Sequence, residues 1–66
     1  MFASLTTKQA DRITDILSGT GPAGRARKAV TRFRKDPSKA NEASALTLLN
    51  GLEKNTQAEL RSGARI

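Results

Sequence analysis

The run from Gly19 to Pro37, GTGPAGRARKAVTRFRKDP, decides both the fold class and the character of this chain. It opens on a turn signal, Gly19-Thr20-Gly21. Pro22 follows where a first-turn proline is tolerated, because its missing N–H would have had no intrahelical partner. A helix is predicted over residues 22–35. Ala26, Ala29, Val30 and Phe33 recur at helical spacing and form its apolar side. Arg25, Lys28, Arg32 and Lys35 are spaced three, four and three apart, so they make one continuous row beside it. Arg27 and Arg34, seven apart, make a second row on the other flank. Asp36-Pro37 closes the run by repeating the start signal, with Asp36 as the next cap and Pro37 in the next first turn.

Working outward, a helix is predicted on each side. Before the run, residues 7–18 carry Ala10, Ile13, Ile16 and Leu17 as a narrow apolar stripe. Thr6 or Thr7 supplies the cap, Asp11 lies toward the positive end of the helix dipole, and Gly19 is the expected stop. After the run, residues 37–54 carry Ala45, Leu48, Leu49 and Leu52, with Ala43 and Leu46 widening the stripe. Asn50-Gly51 resembles a helix end, but Leu52 continues the stripe and argues that Gly51 is tolerated inside the helix. Thr56-x-x-Glu59 has the spacing of a capping box and allows a short helix over residues 57–61, ended by Gly63. No stretch alternates as a strand would. The expected object is all-α: one domain over residues 1–66, a small three-helix bundle with a short fourth helical turn at its C-terminal end.

Composition limits what such a bundle can do. A chain of 66 residues buries only about 60% of the surface its unfolded form exposes. Ten of its apolar residues are alanine, and the large apolar set, which includes Met1 and Ile66, is short. That suffices for one small core, or for half of a core that a second copy completes, so a homodimer is compatible with the sequence. With no Cys and no His, neither disulfides nor the usual zinc ligand sets are available. No metal and no cofactor is expected. No apolar run approaches the roughly 20 residues that cross a bilayer, and the first residues lack a signal-peptide pattern. The expected location is the cytoplasm.

Charge is the most informative property. The net charge is +6, with 12 basic and six acidic residues. Residues 1–18 balance two against two, and residues 36–66 balance four against four. Residues 19–35 hold Arg25, Arg27, Lys28, Arg32, Arg34 and Lys35 with no acid. The whole excess therefore sits in the central helix. Like charges three or four apart cost a few tenths of a kcal/mol per pair, so the counter-charge is expected from outside the chain.

Other readings of the same residues are weaker. Gly19 to Gly24 matches G-x-G-x-x-G, but a dinucleotide site needs that string between a strand and a helix. Thr20, Gly21 and Gly24 are instead candidates for one phosphate contact at the start of the central helix. Without His, Cys or Tyr no general base or activated nucleophile stands out, and Asp11 and Asp15 suit local ion pairs better than catalysis. A non-enzymatic protein is expected. Only two aromatic residues are present, too few for a single-strand stacking platform. The apolar side of the basic helix is too small for a membrane surface. The sequence thus predicts a small basic nucleic-acid-binding protein, a regulator or accessory factor. Arg25, Arg27, Lys28, Arg32, Arg34 and Lys35 would meet the phosphate backbone, of duplex DNA in preference to RNA. The alternative is an interaction module or inhibitor, of the kind mobile elements carry, whose basic helix grips an acidic protein surface. Leu48, Leu49 and Leu52 would then belong to a partner interface.

Overall fold

The computed structural model describes residues 2–65 and is all-helical. Met1 and Ile66, both in the large apolar set, lie outside the described residues. Four helices follow in order: α1 Thr7–Ile16, α2 Gly21–Lys35, α3 Lys39–Asn50 and α4 Lys54–Ala64. Helix α2 packs against α1 and α3, and α4 packs against α1. Ala10, Ile13, Val30, Leu49 and Leu60 fill the centre and are completely buried.

Each boundary has a local cause. Helix α1 starts at a full capping box: Thr6 Oγ1 accepts from Gln9 N at 3.1 Å, and Thr6 N donates to Gln9 Oε1 at 3.0 Å. It ends at Ile16, two residues short of the expected last residue, Ser18. Leu17 leaves the helix in an extended conformation and buries its side chain, so core packing ends α1 before Gly19 can. The next turn uses Gly21, whose φ of 64° is open to glycine at little cost. Gly24 is the tighter constraint, because a Cβ there would lie 2.7 Å from the Gly19 carbonyl oxygen.

Asp36-Pro37 does not start α3 in the expected register. Asp36 is extended at φ −137° and ψ 89°, as a residue before proline prefers. Ser38 is the cap, accepting from Asn41 N at 3.2 Å, and the Asn41 amide donates to the Asp36 carbonyl at 2.9 Å. Pro37 therefore precedes the cap.

The largest departure lies at the other end of α3. The helix predicted over residues 37–54 stops at Asn50, and the short turn expected over residues 57–61 is an 11-residue helix. Gln57 explains the break. Its side-chain amide donates to the Asn50 and Leu52 carbonyls at 3.1 and 2.7 Å, satisfying oxygens that a continuing helix would have bonded itself. Thr56, expected as a cap, lies inside α4, and Glu53 occupies the cap position.

An extended segment completes the core. Phe2 and Leu5 are buried, and their backbone is held by α3. Asn50 embraces Phe2, accepting from its N–H at 2.7 Å and donating to its carbonyl at 2.9 Å, while Glu42 accepts from Leu5 N at 3.0 Å. Among the described residues no buried side-chain nitrogen or oxygen lacks a partner. None of the described helices is long and apolar enough to cross a membrane.

Candidate nucleic-acid interface

Helix α2 turns Ala26, Val30 and Phe33 inward, which forces the residues between them outward. Arg25, Lys28, Arg32 and Lys35 are all exposed. Lys28 and Lys35 lie two turns apart on one line, and Arg25 and Arg32 lie two turns apart on the next. Beside them an open groove of about 440 Å³ runs along the helix, lined by Gly19, Gly24, Arg27, Lys28, Thr31, Arg32 and Lys35. Its lining holds four cations and no carboxylate. Arg27 lies over the turn, with Nη1 3.5 Å from where a Gly19 Cβ would stand.

Arg34 does not share this face. It points toward α1, where its guanidinium lies 2.6 Å from Asp11 and donates to Thr14 Oγ1 at 3.1 Å. Thr14 is buried, and its hydroxyl donates a hydrogen bond to the Asp11 carbonyl at 2.8 Å. The seven-residue spacing from Arg27 concealed this, since periodicity does not reveal which flank of a helix a neighbour covers. Arg34–Asp11 is the one ion pair among the described residues. Partly exposed on both sides, it stabilises the α1–α2 contact by about 0 to 1 kcal/mol. The remaining five cations of α2 have no carboxylate partner among those residues.

The three phosphate-contact candidates differ in exposure. The Gly24 N–H donates to the Thr20 carbonyl at 3.1 Å and Gly24 is buried, so that donor is taken. Thr20 is exposed, but it lines a different groove, with Pro22, Ala23, Gly51, Leu52, Glu53 and Thr56. The Glu53 carboxylate there opposes an anion at the start of α2. Gly21 is exposed beside it. Of the three candidates, Thr20 and Gly21 are the exposed ones.

The leucine stripe divides as well. Leu49 is completely buried and serves this chain's own core, which removes it from any partner surface. Leu52 is half-buried in the α3–α4 turn and packs on that core. Leu48 alone remains exposed, at 38%.

Two groove residues lie outside the predicted set. Thr31 is placed by helical register, three or four residues from Arg27, Lys28 and Lys35, so its position could have been read from spacing. Gly19 could not, because its place in the groove depends on how the α1–α2 turn folds back. Both aromatic side chains, Phe2 and Phe33, are buried. Among the described residues no group of three or more His, Cys, Asp or Glu side chains could hold a metal ion. No family model, curated protein or solved structure compared with the chain matches it.

Proposed function

We propose that the protein binds nucleic acid without catalysing a reaction, by laying α2 along the phosphate backbone. Arg25, Arg27, Lys28, Arg32 and Lys35 make the contact. The observation that carries this reading is the groove beside α2, lined by four cations and no carboxylate. From Arg25 to Lys35 the helix rises about 15 Å, against about 3.4 Å of duplex axis per phosphate of one strand. Duplex is preferred to single-stranded nucleic acid because both aromatic side chains are buried and none is free to stack on a base. DNA is preferred to RNA. Helix α2 carries no Asn or Gln, the side chains that read adenine, and the contact proposed is with the phosphate backbone.

The test is a titration of fluorescent duplex DNA at about 50 and 200 mM salt. Release of counterions from four to five phosphates gives a log–log slope of roughly −3.6 to −4.5. Absence of binding to any duplex at the lower salt would sink the reading. An acidic protein partner for the same face would then take its place.

A further inference from the structure

Charge counted by segment conceals a second basic face. Residues 36–66 are neutral in sum, yet the helical geometry of α4 separates their signs. Lys54, Ala58 and Arg61 share one side of the helix and line a groove of about 430 Å³ together with Asn50 and Gln57. No carboxylate lines it. At 100° per residue Glu59 projects about 140° away from Lys54. Arg65, the C-cap that leaves α4 in a left-handed conformation, is exposed four residues beyond Arg61. None of these cations forms an ion pair among the described residues. Lys54 is the first residue of α4, where the helix dipole disfavours a cation. Its position is therefore not explained by the stability of the helix. The amides of Asn50 and Gln57 are committed to Phe2 and to the α3–α4 turn, so the groove offers a ligand positive charge on a fixed floor.

The two grooves have no residue in common. Helix α1 packs against both α2 and α4. We infer that Lys54, Arg61 and Arg65 form a second phosphate-binding face, and that one molecule holds two duplex segments, one on α2 and one on α4. The inference rests on the nucleic-acid reading of α2 and extends it from binding to bridging.

The experiment immobilises one duplex DNA, saturates it with the full chain, and measures capture of a second, labelled duplex. The parent protein captures it. The variant Lys54→Gln/Arg61→Gln/Arg65→Gln still binds the first duplex, but its capture of the second falls by about tenfold or more, as loss of about three phosphate contacts implies. A charge-matched control, Lys8→Gln/Arg12→Gln/Lys39→Gln, retains capture to within about twofold, because net charge alone is a weak determinant beside local contacts. Circular dichroism on both variants checks that the helices remain. Three results overturn the inference alone. The parent binds one duplex and captures no second, which leaves the α2 reading intact. The α4 variant captures as well as the parent, which assigns bridging to two copies joined elsewhere. The control loses capture equally, which assigns it to net charge. No binding of even the first duplex sinks the α2 reading as well.

Discussion

A methyl group at Gly24 would stand 2.7 Å from the Gly19 carbonyl oxygen, and that oxygen belongs to backbone held by the turn. Nothing flexible is available to move aside. Overpacking of this kind costs about 1 to 3 kcal/mol, against which alanine returns about 0.8 to 1.0 kcal/mol of helix propensity. Gly24→Ala should therefore lose up to about 2 kcal/mol net, and thermal unfolding should show Tm lower by up to roughly 15 °C. Gly63→Ala supplies the contrast. Its new methyl would collide with Cδ1 of Ile16, the end of a flexible side chain that is 42% exposed and free to rotate away. That variant should stay within about 1 kcal/mol of the parent, since the propensity gain offsets a rotamer change. Equal losses at the two glycines would mean that the α1–α2 turn yields as easily as a surface side chain does.

At the scale of an element, Gln57 makes two helices out of what the apolar pattern reads as one. Removing its amide in Gln57→Ala leaves the Asn50 and Leu52 carbonyls without their side-chain donor. The expected cost is about 1 to 2 kcal/mol. Hydrogen exchange should quicken at the Gly51 and Leu52 amides, which bond back to the Leu48 and Leu49 carbonyls, while the amides of α2 keep their relative protection. The same residue shows where sequence reading runs out. The existence of α1 and α2 was legible because Ala26, Val30 and Phe33, like Ala10 and Ile13, repeat at helical spacing and turn inward together. For the cap of α1 the sequence offered Thr6 or Thr7, and the Gln9 side chain decides for Thr6 by closing a capping box with it. The end of α3 was not, because Leu52 prolongs the stripe by one more step and the group that stops the helix arrives from five residues further on. Nor was the length of α4, whose buried residues are only Leu60 and Ala64, too few to make a pattern. Phe2 and Leu5 carry no periodicity at all. Their burial depends on Asn50 and Glu42, 48 and 37 residues away. Of the candidate site, the row on α2 followed from spacing, but the loss of Arg34 to Asp11 required knowing which flank α1 covers.

For the whole molecule, a charge of +6 on a fold with one ion pair among its described residues sets stability against binding. Arg25, Lys28 and Arg32 are exposed, make no side-chain hydrogen bond among the described residues, and repel one another at three- and four-residue spacing. Neutralising them removes attraction for a polyanion and also removes repulsion within α2. Arg25→Gln/Lys28→Gln/Arg32→Gln should therefore keep its helical circular dichroism and unfold no lower than the parent. At low ionic strength it should gain up to about 1 kcal/mol, from like-charge pairs worth a few tenths each. The gain should vanish near 1 M salt, where the screening length falls to about 3 Å. Binding should move the other way, the salt slope becoming shallower by about 2 to 3 as three phosphate contacts are lost. The two effects have opposite signs only if these side chains point away from the core and meet their counter-charge outside the chain. A variant that unfolds several degrees lower would show that the cations support the fold themselves, and the case for an external polyanion on α2 would go with it.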